Sequence, residues 1–174
     1  MALRDNFTPE QWIKVLSGPA SAGSYILVAS PSGLTGILAE AAALTKALLE
    51  GAKASDSPLL QALYESLQPE AFKELPQPEK RRFSSLEEAK STLLDEVRQA
   101  LWLVQTKTSP QDAEAYKGYV MSVAQKVAGA AKEGGFLGFG GEQISPAEKE
   151  ALEQLRDTLG LNPDPSGPDA LAEG

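Results

Sequence analysis

An all-α fold follows from three features of this 174-residue chain. Serine or threonine stands directly before proline where apolar periodicity begins, at Thr8-Pro9, Ser30-Pro31, Ser57-Pro58, Ser109-Pro110 and Ser145-Pro146. Apolar residues then recur at intervals of three and four, the spacing of one helix face. No run of useful length alternates apolar with polar, as a half-buried strand requires. The expectation is a single helical bundle of five or six main helices over residues 1–161. A disordered tail rich in proline, glycine and aspartate follows at 162–174.

Each Ser/Thr-Pro pair offers a side-chain oxygen at the N-cap and a proline at the first helical position, where its missing N–H costs nothing. Thr8 with Gln11, Ser145 with Glu148 and Ser84 with Glu87 have the spacing of a capping box. Helix one starts at Pro9 with Trp12, Ile13 and Leu16 on one face, and Gly18-Pro19 is expected to kink or break it before a second segment, 20–29. The helix after Ser30-Pro31 carries Ile37, Leu38, Ala41, Leu44, Leu48 and Leu49, and Gly51 and the serines at 55–57 close it. A short helix from Pro58 presents Leu59, Leu60, Leu63, Tyr64 and Leu67 and is ended by Pro69. The proline-broken, charged stretch 69–84 reads as a connection.

In the second half, Leu86, Ala89, Leu93, Val97, Ala100, Leu101 and Val104 form a stripe about six turns long. Trp102 and Leu103 widen it enough for two neighbours. Tyr116, Tyr119, Val120, Val123, Val127 and Ala131 mark the next helix, which stops at Gly134-Gly135. The last helix, from Pro146, turns Ala151, Leu152, Leu155 and Leu159 inward and ends at Gly160.

The stretch Val15 to Ala39 contains no charged residue in a chain that is 23% charged, so it belongs at the centre of the fold. It is long enough to span a bilayer, but Ser, Gly, Pro and Thr interrupt it throughout. The continuous apolar block Tyr25 to Ala29 is too short to span alone. A buried core is therefore the leading reading, and a membrane-associated hairpin over 15–39 the lesser one.

Composition excludes much chemistry. There is no cysteine, hence no disulfide or thiolate metal site, and no histidine, hence neither the commonest general base nor the commonest zinc ligand. A net charge of −8 repels nucleic acid and anionic lipid. The basic cluster Lys80, Arg81 and Arg82 sits among prolines and reads as a solvated linker, with a phosphate-binding patch as the alternative. The first residues lack a basic region followed by an apolar one, so a cytoplasmic location is expected.

Three groups of residues are candidate sites. The glycine-rich stretch with Gly134, Gly135, Gly138, Gly140 and Gly141 has the backbone freedom to converge N–H groups on an anion. It lacks the lysine and serine of a P-loop, and it follows a helix rather than a strand. Its Phe136 and Phe139 suit core plugs or a partner surface, so the stretch reads foremost as a turn pinning two helices. Glu87, Glu88, Asp95, Glu96, Glu148, Glu150, Glu153 and Asp157 could meet within a bundle, but without histidine the usual di-metal set is incomplete, and a solvated face is expected. No serine can be paired with a histidine, and Lys46, Lys126 and Lys132 read as surface lysines. No metal and no cofactor is expected.

The run from Tyr119 to Leu161 resembles the helix-turn-helix unit of tellurite-resistance TerB-like proteins. In both, an alanine-rich helix leads through a loop to a capped amphipathic helix, here Ile144, Ser145, Glu148, Leu152 and Leu155. Where that family has an acidic Asp-Gly before the cap, this chain has Gly140-Gly141-Glu142 and a longer loop. The segment AAKEGGFLGFGG, residues 130–141, is similar to the signature of a bacterial all-helical family. These resemblances imply a helical fold and name no reaction. The leading functional expectation is a non-enzymatic protein acting through a protein partner or a homo-oligomer. The alternative is a small-ligand or anion-binding protein, or an enzyme, with its pocket near Gly134 to Gly141.

Overall fold

A computed structural model describes residues 3–30, 34–76, 82–130 and 144–161, and of residues 34–40 the backbone only. After a 3-10 turn, Leu3–Asn6, come α1 (Pro9–Ala29), α2 (Leu34–Lys53), α3 (Pro58–Ser66), α4 (Pro69–Glu74), α5 (Leu86–Lys107), α6 (Pro110–Ala130) and α7 (Pro146–Leu159). The fold is all-α, with no strand among the described residues. The expected tail, 162–174, lies outside them.

Helix starts follow the expected chemistry. Thr8 and Ser145 close full capping boxes, and Ser57 caps α3 through the Leu60 N–H. At α5 the register is one residue later than expected. Ser85 caps through the Glu88 N–H, while the Ser84 backbone and hydroxyl both donate to the Glu88 carboxylate. Gly160 ends α7 in the left-handed conformation, φ 65°, with its own N–H and that of Leu161 reaching back to carbonyls of the last turn.

The core is layered around α1, which lies against both α5 and α6, while α2 leans on α6. Trp12, Val15, Ala22 and Ile26 of α1 are fully buried, as are Val97, Ala100 and Val104 of α5 and Tyr116, Val120, Val123 and Val127 of α6. Helix α7 lays Ala151, Leu152, Leu155 and Leu159 across α1, α5 and α6. The uncharged stretch thus enters the centre through α1, whereas the described outer half of α2 buries only Ala47 and Ala52.

Four expectations need correction. Helix α1 is not divided at Gly18-Pro19 but runs through it. Proline removes the N–H that would have bonded the Val15 carbonyl four residues back. The Tyr116 hydroxyl replaces that donor, giving its proton to Val15 O at 2.7 Å. Gly18 makes room for it, since a Cβ there would collide with the Tyr116 hydroxyl and lie 2.7 Å from Ala100 Cβ. Second, the stretch 69–84 is not wholly connection, because Pro69 serves as the first residue of α4. Third, Trp102 does not widen a buried face. It is 61% exposed, while its neighbour Leu103 is buried. Fourth, Glu148 is not solvated. It is 3% exposed because its carboxylate turns back to accept from the Ser145 N–H and hydroxyl.

Candidate functional site

An apolar groove of about 360 Å³ lies on the α1/α2 side of the molecule. Ile13, Leu16, Ser17 and Ala20 of α1 form one wall and Thr45, Leu48 and Leu49 of α2 the other; Leu67, Phe72, Leu75 and Pro76 complete it. Among the described residues no charged side chain and no residue of α6 lines it. Leu49 and Phe72 stand at its rim, 37% and 43% exposed, so the groove is open to water along one side.

Local sequence explains its shape. In α1, positions 13, 16, 17 and 20 follow the three-and-four spacing of one helix face, a stripe about 10 Å long at 1.5 Å per residue. That stripe carries large side chains at Ile13 and Leu16 and small ones at Ser17 and Ala20, so the α1 wall is recessed toward its later turn. Thr45 does the same on α2, its hydroxyl donating to the Ala41 carbonyl of its own helix at 3.2 Å. The two walls are held in place by α6. Tyr116 bonds the Val15 carbonyl of α1, and Tyr119 donates to the Leu48 carbonyl of α2 at 2.8 Å. Burial pushes the pKa of both phenols up, that of Tyr116 well above the ordinary tyrosine range, so both remain proton donors at any physiological pH.

The short α3–α4 end is anchored by a buried carboxylate. Asp112 of α6 accepts from the Ser57 hydroxyl at 2.6 Å, the Leu59 N–H at 3.3 Å and the Ser109 hydroxyl at 2.9 Å. Burial alone pushes its carboxyl up; the bonds from Ser57, Ser109 and Leu59 outweigh this and hold it below the ordinary aspartate value. One side chain therefore serves the first turns of two helices. From α3, the Ser66 hydroxyl accepts from the Trp12 indole at 3.1 Å, tying α3 to α1 beside the groove.

A second, polar cleft of about 410 Å³ lies at the other end of α1, among Tyr25, Ala29, Glu87, Lys90, Ser91, Leu94, Ala147, Glu150, Ala151 and Gln154. Its charged groups have partners within it. Lys90 lies 3.8 Å from Glu87, the Tyr25 hydroxyl donates to the Gln154 amide oxygen, and Gln154 donates to Glu150 at 3.4 Å. Burial, then the Glu150 and Glu87 charges, raises the Tyr25 ionisation. This cleft does bring together two of the carboxylates singled out in sequence, Glu87 and Glu150. Among the described residues no group of three or more acidic, His or Cys side chains is arranged to hold a metal ion.

The chain matches no family model, no curated protein and no solved structure. The TerB-like likeness of residues 119–161 thus rests on its own motif. The glycine-rich stretch with Gly134, Gly135, Phe136, Gly138, Phe139, Gly140 and Gly141 lies outside the described residues. The groove was missed in sequence because Leu48 and Leu49 read as ordinary core positions. The unused signal was the excess of apolar residues over neighbours available to cover them at the α2 and α4 ends.

Proposed function

We propose that this protein is a non-catalytic interaction protein and that the α1/α2 groove is its docking surface, taking the apolar face of a helix from a protein partner. The observation that carries this reading is a groove whose described lining is uncharged and that stays open to water, with Leu49 and Phe72 on its rim. An apolar surface left uncovered on a stable helical layer is the usual mark of a partner site. Among the described residues the groove offers hydroxyls at Ser17 and Thr45 but no acid, base or activated nucleophile, which favours binding over chemistry.

A helix suits the dimensions. Anchors at i, i+3 or i+4, and i+7 span about 10 Å, the length of the α1 wall. The small residues Ser17, Ala20 and Thr45 let a second backbone approach to the roughly 8–10 Å of ordinary helix packing. Three buried anchors of leucine size supply about 5–9 kcal/mol gross, against an association cost of the same order. The expected complex is transient, in the micromolar range or weaker. A membrane role over 15–39 has less support, since no described helix is long and apolar enough to cross a membrane. A cytoplasmic setting belongs to the same proposal.

The test is chemical-shift mapping with a model amphipathic peptide carrying leucines at i, i+3 and i+7. Shifts centred on Ile13, Ala20, Leu48, Leu49 and Phe72, and abolished by Ala20→Leu, which fills the groove, support the reading. Shifts gathered instead at Tyr25, Lys90 and Gln154 would move the working site to the polar cleft and sink it.

A further inference from the structure

The side of the molecule that holds the groove also presents a helix of the kind the groove takes. Ala41, Ala42, Thr45 and Leu49 of α2 are all exposed and recur at three and four, a face about 12 Å long at 1.5 Å per residue. None of the four is charged. Thr45 and Leu49 also line the groove, opposite the recess at Ser17 and Ala20 of α1. One surface therefore carries both a projecting apolar side chain, Leu49, and a hollow to receive one. A two-fold interface requires this, because the same patch must be complementary to itself. The small residues at 41, 42 and 45 let a second helix axis come within the ordinary packing distance.

The charges beside that face are ordered to suit the same partner. Lys46 and Glu50 are exposed on one flank of it and lie 3.9 Å apart, a weak surface pair within one helix. When two copies of α2 cross antiparallel near Leu48, Lys46 of each falls opposite Glu50 of the other, so unlike charges meet twice across the seam. A parallel crossing in register would set like against like. The net charge of −8 on each copy opposes association. At physiological salt, however, exposed charges farther from the seam than about 8 Å are largely screened, and the pair beside it decides the local balance.

We infer that the occupant of the groove is α2 of a second copy of this chain. The two copies are related by a two-fold axis near Leu48, and each seats its Leu49 in the recess at Ser17 and Ala20 of the other. This rests on the groove being the docking surface.

The experiment is sedimentation equilibrium of the full chain from roughly 1 μM to roughly 1 mM, the range in which a groove of this size should hold its partner. A reversible dimer is expected. Each substitution enters a two-fold interface twice, so Leu49→Glu, at an exposed position that folding tolerates, should weaken the dimer about tenfold or more. Ala20→Leu, which fills the recess, should do the same. Lys46→Glu and Glu50→Lys should each weaken it severalfold, and the two together should restore most of the loss, because the swapped pair again sets unlike charges opposite one another. A dimer that Leu49→Glu weakens but whose charge variants show no such restoration would overturn the antiparallel two-fold arrangement. A dimer indifferent to both Leu49→Glu and Ala20→Leu is built on another surface and overturns the inference. A chain that stays monomeric throughout, yet binds the leucine peptide in the groove, overturns the second copy and leaves the groove reading standing. A monomer that the peptide also ignores overturns both.

Discussion

Helix α1 meets two different environments. On one side Trp12, Val15, Gly18 and Ala22 are sealed by α3, α5 and α6, with every polar group there given a partner: the indole by Ser66, the proline-orphaned carbonyl by Tyr116. On the other side Ile13, Leu16, Ser17 and Ala20 face a groove that α2 and α4 flank and leave open. Both sides are apolar, and they differ in whether the described residues supply a cover. An apolar stripe therefore marks what will be buried against something, and says little about whether that something belongs to the same molecule.

The comparison can be broken most severely at Trp12. Trp12→Ala should cost about 3–5 kcal/mol, the usual range for emptying a fully buried large aromatic site, read as a lowered denaturation midpoint with little change in slope. A loss under about 1 kcal/mol would show that the sealed side is not sealed.

Next in size is the proline repair. Tyr116→Phe removes the side-chain donor that bonds the Val15 carbonyl in place of the missing Pro19 N–H, and should cost about 1–3 kcal/mol. Pro19→Ala restores the helical N–H, so in that background the same Tyr116→Phe change should cost markedly less. A double-mutant cycle showing no coupling would mean that the hydroxyl does not stand in for the missing N–H.

Asp112 sharpens the contrast through pH. Its carboxyl is lower in the folded chain than the ordinary value of about 3.9. Its contribution is therefore fully present above that value and is lost as pH falls through the folded one. Asp112→Asn should be less stable than the parent by about 1–2 kcal/mol at pH 7, with the difference shrinking in urea melts below about pH 4. A difference that stays constant across that window would remove the ionised carboxylate from the account.

The smallest effects are expected on the open side. Leu49→Ala and Phe72→Ala should change stability by no more than about 0.5 kcal/mol, since both side chains are already partly in water. Thermal melts showing losses of 2 kcal/mol or more would mean that the groove is part of the core.

Local chemistry was legible in the sequence wherever the interacting groups lie within a few residues of one another. Thr8 with Gln11, Ser57 with Leu60, Ser145 with Glu148 and the Gly160 stop are contacts inside one helical turn, so the order of residues determines them and with them the all-α class. Tertiary structure decided what depends on partners far along the chain. Pro19 breaks a helix unless a donor arrives from Tyr116, nearly a hundred positions away, and nothing near Pro19 announces that donor. Asp112 reads as an ordinary first-turn acid until α3 brings Ser57 and Leu59 to it. The groove is decided in the same way. Ile13 and Leu16 carry the same pattern as Trp12 and Val15, and the placing of α2 and α4 leaves the first pair lining an open groove while the other is enclosed.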